Sequence, residues 1–230
     1  MALADDWTTY SSDAGLVSVI HTGSNKLYGS GSLECDYHSA LAYLNMVRKN
    51  SPKAFTSGRA RFLWSRVAGS SGDYFGLTFA QSQANLTGGS GTAYFCGYVF
   101  TGSSLQFRLR RHSAGLATAT TLVSSAASGS KPLAPESQPV EIRWRLDEAN
   151  LGGMQVTLTT GAIADYRGVT TLDWESLLTT EQLNYLDNSG YLTSSVGEGV
   201  GYINASGVTT TLYYMDELEV VPLLVGGLTT

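Results

Sequence analysis

Residues 139–160 read PVEIRWRLDEANLGGMQVTLTT, and the fold is decided by how this stretch is read. Val140, Ile142, Trp144 and Leu146 alternate with Glu141, Arg143 and Arg145. Neighbouring side chains on a strand point to opposite faces, so the run predicts a strand with one dry and one wet face. Met154, Val156 and Leu158 alternate with Gln155, Thr157 and Thr159 in the same way. Residues 147–153 between them are polar and end in Gly152-Gly153, which suits a chain reversal. The unit reads as a β-hairpin with Trp144 near the centre of its apolar face.

Working outward, similar runs recur along the chain. Leu16 to Ile20 is a short apolar strand, and Leu33-Glu34-Cys35-Asp36-Tyr37-His38 alternates cleanly. GRARFLWSRV at 58–67 puts Ala60, Phe62 and Trp64 on one face and Arg61, Leu63, Ser65 and Val67 on the other, so both faces are expected to be partly covered. Residues 73–80 turn Phe75, Leu77 and Phe79 inward. Residues 93–100 place Tyr94, Cys96, Tyr98 and Phe100 on one face, while Gly97 leaves a gap in the other and marks a bulge or close approach. Residues 105–110 set Leu105, Phe107 and Leu109 against Gln106, Arg108 and Arg110. An edge strand is expected at 119–123, a glycine-rich strand or turn at 197–202, and a long closing strand at 209–221. Residues 172–186 hold Leu and Glu in helical proportion, with a local start at Thr179-Thr180-Glu181-Gln182, which predicts one or two short helical turns on a loop. Residues 180–196 read as a surface insertion. Ten to thirteen short strands result, the spacing of a β-sandwich.

Composition agrees. The 230 residues include 43% hydrophobic side chains, enough for a sizeable core, and only 14% charged ones. A net charge of −5 speaks against general nucleic-acid binding. No apolar stretch approaches the length of a membrane helix, and the residues after Met1 lack the basic and apolar regions of a secretory signal. Cys35 and Cys96 lie in strand-like runs and are expected as reduced core thiols. Asn85-Leu86-Thr87 and Asn204-Ala205-Ser206 read as turns.

The order of these features resembles the concanavalin A-like jelly roll, in particular its laminin-G-like branch. Asp5-Asp6-Trp7 opens the chain and Gly31-Ser32-Leu33 follows. Val140-Glu141-Ile142-Arg143-Trp144 supplies the Val-x-Ile-x-Trp strand, and the closing strand carries Tyr214, Asp216 and Val220. The resemblance spans residues 5–221. It implies an all-β, two-sheet antiparallel jelly-roll sandwich of about six strands per sheet, forming one domain over 1–221 with a C-terminal tail at 222–230.

Chemistry is harder to find. Glycoside hydrolysis needs two carboxylates flanking one bond. Asp216, Glu217 and Glu219 come nearest, at a spacing that puts Asp216 on the opposite face, where it is expected to bond a neighbouring loop. His21, His38 and His112 stand apart, without metal-ligand spacing, and no G-x-S-x-G elbow occurs. No catalytic residue and no cofactor is assigned, although Asp187-Asn188-Ser189 offers oxygens that Ca2+ would accept. Arg108, Arg110, Arg143 and Arg145 all sit on polar sides of their strands. If those strands share a sheet, the four form a basic stripe, a docking face for an acidic partner or acidic glycan. Tyr74, Tyr202 and Tyr213 are placed outward by their registers, where rings stack on sugars. Beyond Pro222, the apolar Leu223, Leu224, Val225 and Leu228 are expected to lock onto a neighbouring subunit.

An intact jelly-roll pattern without a catalytic signature is read as a non-enzymatic virion structural protein: a capsid decoration, tail or baseplate component. It is expected to assemble in the host cytoplasm as a homo-oligomer, touching copies of itself or other virion proteins, with neither nucleic acid nor membrane as partner. The alternatives are a lectin-like carbohydrate-binding module and a divergent glycoside hydrolase or lyase.

Overall fold

The computed structural model describes residues 7–11, 17–22, 26–29, 31–37, 43–48, 56–68, 72–83, 86, 90–101, 104–116, 118–197, 199–204 and 211–223. For 7–11, 17–22, 35–37, 43–48, 67–68, 199–204 and 211–212 only the backbone is described. The strands in chain order are β1 (Trp7–Ser11), β2 (Val17–Thr22), β3 (Ser32–Tyr37), β4 (Tyr43–Arg48), β5 (Gly58–Ala68), β6 (Asp73–Phe79), β7 (Ala93–Thr101), β8 (Ser104–Ala114), β9 (Thr118–Ser124), β10 (Gln138–Asp147), β11 (Gly153–Thr160), β12 (Thr180–Asp187), β13 (Gly199–Asn204) and β14 (Thr211–Pro222). One helical turn, α1 (Trp174–Leu177), precedes β12.

The strands form two antiparallel sheets of seven. The first runs β1-β4-β13-β6-β7-β8-β9 and the second β12-β11-β10-β5-β14-β3-β2. The sandwich is one strand per sheet larger than the sequence suggests.

The hairpin at 139–160 is β10 with β11, in the expected register: Ile142 faces Leu158, Trp144 faces Val156, and Leu146 faces Met154. Trp144 is fully buried, and its ring stacks on Phe79 of the opposite sheet at 4.7 Å between centroids. A second aromatic group fills the other half of the core. Tyr213 of β14 stacks on Phe75 of β6 at 4.6 Å, beside Trp64, Tyr98 and Phe100. Such rings bury large apolar areas and supply most of the contact between the layers.

Gly97 marks a close approach, as expected. It lies opposite Gly76 in the β6–β7 ladder, and a Cβ on either residue would stand 2.6 Å from the other's Cα. The edge strand expected at 119–123 is β9, and the glycine-rich strand at 197–202 falls on β13. Both faces of β5 are covered: Leu63 packs on Leu27, Tyr166 and Tyr214, with Trp174 and Leu177 of α1 alongside.

The helical turn expected within 172–186 is α1. Three other expectations fail. The local start read at Thr179–Gln182 opens no helix: residues 180–187 form the edge strand β12, with Leu183 and Asp187 buried and Glu181 and Asn184 exposed. Pairing along β11 and an alternating buried face outweigh a helical composition there. Residues 180–196 are accordingly no insertion. Tyr191 and Leu192 pack on the core, and the Val196 N–H donates to the Gln81 carbonyl. Tyr213 is buried rather than outward, because β14 carries an extra residue between Asp216 and Glu219 and Tyr213 and Met215 therefore share the inner face with Leu218 and Val220. The bulge reverses the alternation read from sequence. Glu217 takes φ +52 and absorbs it.

Candidate functional site

Charge divides between the sheets. Of the 19 acids in the chain, the strands of the first sheet hold one, Asp73, together with four arginines: Arg48, Arg108, Arg110 and Arg111. The strands of the second sheet hold nine acids and five arginines. A chain of net −5 therefore carries a basic sheet, and Asp73 belongs to the inward-facing, buried set of β6.

On the outer face of that sheet, Gln106, Arg108, Arg110 and His112 follow one another along β8. Arg108 stands opposite Gly97, Arg110 opposite Phe95 and His112 opposite Ala93. Tyr74 comes from β6. A small apolar cluster of Tyr74, Leu86, Ala93, Phe95, Val99 and Leu116 forms the bed. The loops bearing Leu86 and Leu116 are joined by a bond from the Leu116 N–H to the Leu86 carbonyl, 3.0 Å.

Two guanidinium groups converge on Tyr74. Arg108 donates from Nη1 to the Tyr74 hydroxyl at 2.9 Å and from Nη2 to Gln106 Oε1 at 3.0 Å. Arg110 lies over the Tyr74 ring, 4.3 Å from its centroid. Its Nε and Nη1 are buried and have no hydrogen-bond partner, and fully buried His112 faces the Gly115 and Leu116 backbone. Burial, and then the charge of Arg108, pull the Arg110 pKa below the ordinary arginine value. Burial, then the charge of Arg110, pushes His112 down to about 4, so its ring is neutral at pH 7. The site thus holds two like charges, a neutral imidazole and unspent donors. Among the described residues, this face carries no carboxylate. It is suited to receive an anion.

The structure separates the four arginines of the sequence reading. Arg108 and Arg110 are on β8 in the first sheet, and Arg143 and Arg145 on β10 in the second. No single stripe exists, because sheet membership follows long-range pairing rather than local alternation. Leu223 is half-buried beside Arg143 and Arg145, while Leu224, Val225 and Leu228 lie outside the described residues.

Tyr74 is on the outer face as expected but covered, and the Tyr202 side chain is outside the described residues. Asp216 is buried and accepts from Ser32 Oγ at 2.7 Å and the Tyr28 N–H at 2.9 Å, bonding a neighbouring loop as expected. Asp187 is the last residue of β12. It accepts the Tyr94 hydroxyl at 2.5 Å and Arg111 Nη1 at 2.7 Å, so an arginine occupies the oxygens considered for Ca2+. No metal-type cluster of His, Cys, Asp and Glu occurs among the described residues. Cys96 is a buried free thiol, and the Cys35 side chain is outside the described residues.

Sequence reasoning missed His112 and the pairing of Tyr74 with both arginines. The available signal was the run Arg108-x-Arg110-x-His112, which puts three nitrogen-rich side chains on one strand face.

No protein-family model matches the chain, and no characterised sequence does. Its architecture does match solved structures. The legume lectin-like domain from Entamoeba histolytica aligns with a TM-score of 0.56 at 7% identity, over 96% of this chain and 91% of that one. The endo-β-1,4-glucuronan lyase from the fungus Trichoderma reesei aligns with a TM-score of 0.57 at 8% identity, over 93% of this chain and 90% of the other. Alginate lyase vAL-1 from Chlorella virus gives 0.57 at 6% identity, over 95% and 94%. The fold is the concanavalin A-like lectin/glucanase jelly roll, shared by lectins, glycoside hydrolases and lyases. These matches lend nothing to the virion role expected from the sequence.

Proposed function

We propose that the protein is a carbohydrate-binding module that takes an acidic polysaccharide on the outer face of its first sheet. Arg108 and Arg110 meet the carboxylates or sulfates of the chain, and Tyr74 braces both guanidinium groups. One observation carries this reading: two part-exposed guanidinium groups, Arg108 and Arg110, converge on Tyr74 on a face with no described carboxylate. Two guanidinium groups this close repel each other, and an anion between them turns that repulsion into charge-assisted hydrogen bonds. Two of the structural relatives act on glucuronan and alginate, which are polyuronates, and a third is lectin-like. Binding rather than hydrolysis is favoured because the paired carboxylates of glycosidases are missing from this face among the described residues.

Screening the purified protein against immobilised polyuronates, sulfated glycans and neutral glucans tests the reading. Retention by acidic polymers only, lost in Arg108→Gln/Arg110→Gln, is expected. Equal retention by neutral glucans, or none by any acidic polymer, would reject it. Shortening of the polyuronate during the assay would make the protein an enzyme instead, a lyase if the new ends are unsaturated and a hydrolase if they are not.

A further inference from the structure

On the opposite side of the sandwich the outer face of the second sheet contains a cavity of about 230 Å3 lined by Arg143, Arg145, Gln155, Thr157 and Leu223. The β10–β11 register sets Arg143 directly opposite Thr157 and Arg145 opposite Gln155. The four polar side chains stand at the corners of a rectangle, about 7 Å along the strands and about 5 Å across them. Leu223, just past β14, supplies an apolar wall.

Along β10 this face reads Glu141, Arg143, Arg145, Asp147, a negative–positive–positive–negative row. The two acids hold the arginines from the outside. Arg143 engages Glu141 through Nε alone, and Arg145 engages Asp147 through Nη2 at 2.5 Å. Among the described residues, the Nη groups of Arg143 and the Nε and Nη1 of Arg145 have no partner.

Neither acid is reserved for its arginine. Arg61 donates to Glu141 at 2.6 Å and Arg59 approaches it at 3.9 Å, so three guanidinium groups share one buried carboxylate. Asp147 also takes the Asn150 N–H at 3.1 Å. Gln155 Nε2 is committed to Asn184 Oδ1 at 3.1 Å. The cavity is therefore rich in spare donors between two cations. A carboxylate fits a guanidinium fork with two parallel hydrogen bonds, which an alcohol cannot make.

We infer that this cavity is a second anion-binding site, sized for a single acidic sugar residue. Its carboxylate lies between Arg143 and Arg145, its hydroxyls meet Thr157 and Gln155 Oε1, and its ring lies against Leu223. The site stands on the opposite sheet from Arg108 and Arg110 and does not depend on the reading of that face. With both faces occupied, one domain cross-links two acidic chains. Arg143 and Arg145 are 47% and 46% exposed, so water competes for them and the site is the weaker of the two.

Isothermal titration with a trigalacturonate at low salt tests this directly. The wild-type chain is expected to bind one equivalent more than Arg143→Gln/Arg145→Gln, two against one where the first face also binds, with affinity for the lost site falling at least tenfold. Arg108→Gln/Arg110→Gln is expected to keep the back-face equivalent. Thermal melting of each variant reports folding, which half-exposed arginines leave intact. A stoichiometry unchanged by Arg143→Gln/Arg145→Gln overturns the inference whatever happens at Arg108 and Arg110. Loss of binding in the Arg108/Arg110 variant alone would leave the first face as the sole site and would equally overturn it.

Discussion

Substituting Gly97 by alanine probes the part of the first sheet on which the arginine site is mounted. An added methyl group would stand 2.4 Å from the Phe75 carbonyl oxygen and 2.6 Å from the Gly76 Cα. Ordinary carbon contacts begin near about 3.5 Å, so β6 and β7 would have to part by about 1 Å. Both obstructing atoms are backbone, and no side chain can rotate away. A ladder hydrogen bond stretched by about 1 Å leaves the bonding range, and each one lost costs about 1 kcal/mol. Overpacking adds about 1–3 kcal/mol, while the reduced freedom of the unfolded chain returns about 0.4–1 kcal/mol. The expected net loss is about 3 kcal/mol, read by equilibrium unfolding in guanidinium chloride. Gly76→Ala should cost as much, and the double variant much less than the sum, since the first methyl already parts the strands. Gly168→Ala is the control: a Cβ there meets nothing within 4 Å, and stability should hold within about 0.5 kcal/mol. A Gly97→Ala chain within about 1 kcal/mol of wild type would refute the close approach and the register across β6 and β7.

The remaining predictions concern the core and the ends of the sheets. Trp144→Ala removes a fully buried ring stacked on Phe79 and should cost about 3–5 kcal/mol by the same unfolding assay. Asp187→Ala strands Arg111 and Tyr94 where the edge of the second sheet meets the first; because Arg111 keeps 23% exposure, a loss of about 2–3 kcal/mol is expected rather than the upper range for buried pairs. His112 makes stability depend on pH. Its folded pKa of about 4 lies below the ordinary 6.5, so between those values the unfolded chain takes up a proton that the folded chain refuses. Stability should be fully present above about pH 6.5 and fall by about 3 kcal/mol towards pH 4, and His112→Phe should flatten that part of the profile.

Much of the architecture was legible because the β10–β11 hairpin, β5, β7 and β8 each carry a clean period of two, and a two-residue period says which side is buried. Trp144, Phe75 and Tyr98 could be placed in the core from that alone. Three features were not legible, each for a physical reason. The run TEQLNYLD in β12 has helical composition, and only its neighbour β11 makes it a strand. Tyr213 precedes a bulge in β14, so the parity of Leu218 and Val220 beyond the bulge does not carry back to it. The four arginines sit on strands whose local patterns are alike, yet β8 and β10 belong to different sheets. What survives of the stripe is two pairs, one on each outer face. The participation of His112 and Tyr74 with Arg108 and Arg110 depends on cross-strand register, which composition does not carry.

The most direct test of the central claim is a paired measurement on Arg110→Met. Two guanidinium groups held together on Tyr74 for the sake of a ligand repel each other and should cost the unliganded protein stability, as residues retained for function commonly do. Arg110→Met is expected to melt at the same temperature as wild type or higher, while its affinity for a hexagalacturonate falls at least tenfold and loses part of its salt dependence. A variant that is destabilised yet binds the acidic oligosaccharide as tightly as wild type would contradict it, because Arg110 would then be a structural residue and not a ligand for an anion.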